Sequence, residues 1–162
     1  MALGRKEIAG SYPLPAYNYR VTILDLGPEG TCVIGFSEVS GLNTEYEPVT
    51  YKHGLSFLTG PTLIPGMRQP TRLTLKKGLT RGGNFLYRWM DKTYADPLSP
   101  HIRRDVVIDL CDETGKSAIS WTARGVLPTK LEGPSFVANT QEVAISQLEL
   151  LARDLRVSFQ ES

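Results

Sequence analysis

Apolar and polar residues alternate at every second position in most of the ordered-looking stretches of this chain, and only one stretch switches to helical spacing. Tyr19, Val21 and Ile23 alternate with Arg20 and Thr22, which predicts a strand over residues 18–26. Gly27-Pro28-Glu29-Gly30 is a turn, so a strand over 31–36 is expected to return as the second arm of a hairpin. The stretch from 35 to 54 reads as two strands joined at Ser40-Gly41, the later one over 44–51. Pro48 lies inside that strand and, lacking an N–H, argues for a sheet edge or a bulge. In the strand predicted over 71–77, Leu73 and Leu75 share one face with Lys77, while Arg72, Thr74 and Lys76 form a wholly polar face that should meet water.

Helical spacing appears after the breaker at residues 78–83. Phe85 and Trp89, with Leu86 and Met90, recur at i, i+4, so a helix is expected over 84–93, capped by Asn84 and packed on the sheets through this broad apolar face. Strands are then expected over 104–112 and 118–125, joined by a turn at 113–116 where Gly115 is free to take positive φ. Residues 128–140 read as a loop. Residues 142–151 alternate with a phase shift between Ile145 and Leu148, as a bulge would give, and 154–159 closes the series with Leu155, Val157 and Phe159 on one face. Residues 1–11 carry no pattern and are expected to be a flexible or docking arm before one domain over 12–160, which the length of 162 residues fits.

One segment breaks the rule that loops are short and polar. Residues 52–69 show no period yet carry Leu55, Phe57, Leu58, Leu63 and Ile64. Such a segment must bury its side chains either on its own domain or on another subunit.

Composition narrows the function by exclusion. A net charge of +1 gives no support to a nucleic-acid binder. No apolar run approaches the roughly 20 residues needed to cross a bilayer, and residues 1–17 lack the apolar segment of a secretory signal. Cys32 and Cys111 sit in apolar strand patterns and read as buried thiols of a reducing compartment. His53 and His101 stand beside loop signals, far from both cysteines, so no metal spacing is present. The segment 78–84 lies between strand and helix like a phosphate loop but lacks its Gly-Lys-Ser/Thr ending. Asp112 and Glu113 fall at a hairpin tip, near Asp109, where solvation prevents the tuning that acid–base catalysis needs. No nucleophile elbow appears. These readings predict a protein that is not an enzyme and needs no cofactor or metal.

One charge asymmetry remains. From Arg68 to Lys92 there are seven cations and a single acid, Asp91, whereas Glu132, Glu142, Glu149 and Asp154 follow downstream. These are either solvated surface or complementary patches that meet between identical subunits.

Several words of the sequence, in their order, carry a resemblance. They are FSEVSGL at 36–42, Tyr-x-Pro-Val-x-Tyr-Lys-x-Gly at 46–54, Pro65-Gly66, and LTLKKG at 73–78. The opening YPLPAY at 12–17, GGNFLYRW at 82–89, RRDVVIDL at 103–110, LPTKLEGPSF at 127–136 and QEVAISQLEL at 141–150 continue the series. Together they resemble the tube proteins of contractile phage tails and of extracellular, phage-tail-like injection particles. The resemblance implies a mainly β fold with one α-helix: two packed antiparallel sheets, a β-sandwich or barrel-like body with the helix on its flank. It also implies hexameric rings whose inner strands close a barrel, stacked into a hollow tube that a contracting sheath drives through a target envelope. The implied partners are further copies of the chain, a sheath protein, baseplate or initiator proteins, terminator or cap proteins, and cargo in the lumen. Assembly in the bacterial cytoplasm, in a particle open to release, is implied as well.

Placed in such a ring, the polar face of 71–77 has a destination, the water-filled lumen, with Arg72, Thr74 and Lys76 lining it and Glu45 and Glu47 joining from the preceding strand. Leu55, Phe57, Leu58, Leu63 and Ile64 become an inter-subunit contact. The segment 53–69 is longer and more apolar than the family usually carries. Two other readings stand beside this one. An initiator ring at the baseplate shares nearly all these motifs, and a small-ligand-binding β-barrel would want an apolar interior, which the polar face of 71–77 opposes.

Overall fold

A computed structural model describes residues 12–24, 31–100 and 102–160. The arm expected over 1–11, the turn at 27–30 and His101 lie outside the described residues. In chain order the elements are β1 (Tyr19–Ile23), β2 (Cys32–Ile34), β3 (Glu38–Ser40), β4 (Val49–Tyr51), α1 (Ser56–Thr59), β5 (Thr62–Ile64), β6 (Thr71–Gly78), α2 (Phe85–Ala95), β7 (Arg104–Cys111), β8 (Ser117–Glu132), β9 (Ile145–Ala152) and β10 (Asp154–Phe159). The fold is mainly β, with one main helix, as the alternation predicts.

Two sheets share one strand. β8 is twice as long as its neighbours, and its first half lies between β7 and β10 in a sheet ordered β2-β1-β7-β8-β10. Its second half pairs with β9, which continues into β6 and β3. Every pairing is antiparallel. β9 and β10 run along the same side of β8 in one register, since Leu151 faces Leu127 and Asp154 faces Arg124. The ribbon passes from one sheet to the other at Gly125, whose φ is +61° and where an added Cβ would lie 3.2 Å from Arg153 Cβ. A strand that changes sheets through such a bend is how two packed sheets form a corner.

The core lies between the sheets. Val21, Ile23, Val106, Ala123 and Val126 from the first meet Leu73, Leu75, Leu148, Leu150 and Ala152 from the second, and all are essentially inaccessible to solvent. Each large aliphatic buried there contributes about 1.5–3 kcal/mol. α2 flanks this core against β8. Its buried side chains are Leu86, Trp89 and Thr93, with Phe85 and Met90 half-buried at the margin. Trp89 satisfies its indole N–H on the Ile102 carbonyl at 3.1 Å, and Tyr94 donates to the Pro128 carbonyl at 2.8 Å.

The structure corrects several sequence expectations. Asn84 precedes α2 but makes no side-chain capping bond; its carbonyl accepts the Arg88 N–H at 3.1 Å. Residues 128–132 are strand, not loop: Pro128 is buried in β8 beyond the last residue paired to β7, so its missing N–H faces the side with no partner strand. The irregularity expected between Ile145 and Leu148 lies instead on the partner, between Pro128 and Lys130 of β8. β9 itself alternates evenly, because buried Ser146 takes an inward position that an apolar residue was expected to fill. Cys32 is half-buried, and only Cys111 is buried outright. The strand expected over 44–51 is reduced to β4 and a single bridge at Tyr46.

Candidate functional site

Two surfaces stand out, one polar and one apolar. The polar one is the outward face of the second sheet. β6 alternates as expected: Leu73 and Leu75 point into the core while Arg72, Thr74 and Lys76 point out. The register adds Glu38 and Ser40 from β3, Gln147 and Glu149 from β9, and Lys130 and Glu132 from β8 to the same face. Charges on it are matched, in two pairs across strands and one within β8. Lys76 Nζ lies 2.8 Å from Glu38 Oε2, Arg72 lies 3.6 Å from Glu149, and Lys130 lies 3.4 Å from Glu132. Three bases thus meet three acids. Such pairs at a wet surface add roughly 0–1 kcal/mol each, so they set the pattern of charge more than the stability.

Glu45 borders a shallow depression of about 290 Å³ shared with Arg72, Thr74 and Ser40, so it joins this face at its edge. Gly41, with φ +88°, lets the chain turn there; a Cβ would lie 2.1 Å from the Arg72 carbonyl oxygen. Glu47 is placed farther along, where its carboxylate accepts from Gln69 Nε2 at 2.8 Å. Sequence reasoning missed Glu38 and left Glu132, Glu149 and Asp154 as either solvated surface or part of a patch that meets another subunit. Each is satisfied within the chain, the last by Arg124 in a two-point contact at 2.8 and 3.0 Å. Hydrogen bonding from Arg124 chiefly holds the Asp154 carboxyl below its usual range.

The apolar surface is an arm. The segment 52–69 is not a structureless loop: β4 and β5 pair as a hairpin, with Val49 opposite Ile64, and α1 forms the tip. Below them the ladder continues as Glu47 N–H to Met67 O at 3.1 Å and Gln69 N–H to Glu45 O at 2.8 Å. Arg68 stacks 5.3 Å from the Tyr46 ring centre and donates to its hydroxyl at 2.9 Å. Gly66 sits where the two sides touch; a Cβ there would be 1.7 Å from the Glu47 carbonyl oxygen. His53 shapes the tip, its ring nitrogen Nδ1 accepting the Leu55 N–H at 3.2 Å. None of the apolar side chains is buried. Leu55, Phe57, Leu58, Leu63 and Ile64 remain 59%, 79%, 71%, 68% and 45% exposed. No residue of α1 is buried.

The carboxylates once considered for catalysis have structural work. Asp109 is buried in β7, where it accepts hydrogen bonds from Ser117 and Ser120 and lies 3.4 Å from Arg20. Asp112 holds the hairpin turn by accepting from the N–H groups of Thr114 and Lys116, with Gly115 at φ +82°.

The sequence matches the model of the T4-like virus tail tube protein gp19 family over residues 15–156. No curated protein matches it. Among solved structures, it resembles a chain of the PVC sheath–tube complex, an extracellular contractile injection system in the extended state, at 27% identity and TM-score 0.82, covering 98% of this chain and 100% of that one. A chain of the anti-feeding prophage cap, the tube-terminating cap, is 32% identical with TM-score 0.78 over 99% of this chain and 100% of that one. Hcp1 from Flavobacterium johnsoniae shares the fold at 12% identity and TM-score 0.51, covering 90% of this chain and 98% of that one.

Proposed function

Because the chain belongs to the T4-like tail tube protein gp19 family, whose members are structural and not enzymes, we propose that it is the repeating subunit of the inner tube of a contractile injection particle. Six copies form a ring, rings stack into a hollow conduit, and sheath contraction drives the conduit through a target envelope. The matched polar face of β3, β6, β9 and β8 lines the lumen, with Arg72, Thr74 and Lys76 at its centre and Glu45 and Glu47 toward one rim. The arm residues Leu55, Phe57, Leu58, Leu63 and Ile64 are covered by a neighbouring subunit. The sheath, cap and baseplate named for the similar structures are the partners this reading gives the chain, cargo occupies the lumen, and assembly takes place in the bacterial cytoplasm.

The observation that carries this reading is the pairing of opposites on one small domain: a sheet with a charged outer face, and an apolar arm with no cover of its own. An exposed apolar surface of this kind belongs at an interface. The experiment replaces Leu55, Phe57 and Leu58 together with serine. A folded variant that no longer forms rings or tubes in negative-stain images is expected. Normal tubes from the triple variant would refute the arm's role.

A further inference from the structure

A second uncovered apolar surface lies away from the arm. The connection between β8 and β9 borders an open groove of about 560 Å³ with a mixed lining, Phe136, Val137, Val143 and Ile145 standing beside Ser135 and Thr140. Phe136 and Val143 are 84% and 72% exposed. The groove is nevertheless anchored. Thr140 closes a turn on the Val137 carbonyl, its N–H at 3.3 Å and its hydroxyl at 3.1 Å. The Ala144 carbonyl accepts the Leu79 N–H at 2.9 Å, which fixes one wall to the end of β6.

We propose that this groove receives the arm tip of a second copy of the chain, with Phe57 and Leu58 seated among Phe136, Val137 and Val143. Two observations select that occupant. First, each subunit carries both halves of the contact and satisfies neither, so the contact joins copies head to tail, the geometry that generates rings and stacked filaments. Second, the charges match. Between Tyr51 and Ile64 the only charged residue is Lys52, and between Gly133 and Ile145 the only one is Glu142. Both are exposed, and neither belongs to an ion pair among the described residues. Glu142 is the one acid of the downstream group without an ion-pair partner among the described residues. A single matched pair at the rim of an apolar contact fixes which way the arm enters. This assignment rests on the arm's being an inter-subunit contact and adds where it lands.

The decisive test is photo-cross-linking in assembled rings or tubes. Phe57→p-benzoylphenylalanine is made in the full chain, mixed with isotopically heavy copies, irradiated, and its cross-links are mapped by mass spectrometry. Links between light and heavy copies within residues 134–145 are the expected result. Links to another region of a second copy overturn the groove while leaving the arm an interface. Absence of any link between copies overturns both. Charge exchange gives an independent readout: Lys52→Glu and Glu142→Lys should each reduce the assembled fraction, and the two together should restore it. Failure of the pair to rescue, with melting temperatures unchanged, removes the Lys52–Glu142 contact from the proposal.

Discussion

Replacing Trp89 with alanine tests whether α2 is bound to the sheets as the packing implies. Trp89 is 2% exposed, the largest fully buried side chain of the molecule. Truncating a buried aromatic of this size costs about 3–5 kcal/mol through lost transfer energy and the cavity left behind. The substitution also removes the indole N–H from the Ile102 carbonyl and the ring beneath the Arg104 guanidinium, 5.9 Å from its centre, so the upper part of that range applies. For a domain of this length each kcal/mol moves the melting temperature by about 2–4 °C, so about 4–5 kcal/mol gives a fall of roughly 8–20 °C. The measurement is thermal unfolding followed by circular dichroism, repeated over a concentration series because assembly raises the apparent midpoint by mass action. Met90→Ala serves as the companion; Met90 is half-buried at the edge of the same face and should cost distinctly less. A Trp89→Ala protein that melts within about 3 °C of the parent, less than the smallest shift the packing allows, would show that the helix does not anchor the core.

Two further outcomes follow from the charges. Arg72→Gln with Lys76→Gln leaves Glu149 and Glu38 unpaired on a wet face, so stability should fall by no more than about 1 kcal/mol per pair. Assembled particles should then retain basic cargo better than acidic cargo, and a core-like loss of melting temperature would show that this face is not solvated. Arg124 holds Asp154 below the ordinary carboxylate range, so the pair's stabilisation is complete above the unfolded carboxyl value of about 3.9 and is lost as pH falls through the lower folded value. The melting-temperature gap between the parent and Asp154→Asn should therefore stay constant from about pH 7 to 5 and shrink in stronger acid; a gap that does not shrink contradicts the pairing.

The alternation of β1 and β6 was readable because each sets apolar residues against polar ones with one face inward, whereas in β10 only Leu155 of the expected apolar face is buried and Val157 and Phe159 are exposed. The apolar stripe of α2 was readable for the same reason at helical spacing. Legibility ended where tertiary contact overrode a local rule. Pro128 reads as a loop residue, yet it continues β8 because the strand has left β7 and needs no donor on that side. Ser146 hides the phase of β9, since its buried hydroxyl occupies a position that hydropathy assigns outward. The apolar side chains of 53–69 gave away the arm, but its hairpin did not show, because β4 and β5 are three residues each and exposed on every residue. On the polar face, Arg72, Thr74 and Lys76 could be found from one strand, whereas Glu38, Lys130 and Glu149 needed the register between strands that are far apart in sequence.

The shared strand has a consequence for the order of events during synthesis. β1, β2, β3 and β6 are made before β8, β9 and β10, yet both sheets are completed only by those later strands. β6 waits for β9, and the β1–β2 hairpin reaches β8 only through β7. A nascent chain lacking the ribbon therefore holds neither sheet whole, and its apolar arm emerges on a body that cannot yet offer a groove. Under the proposed assembly, the arm is made before the groove it would enter, and both halves of the contact are present only once the ribbon that closes the fold is in place.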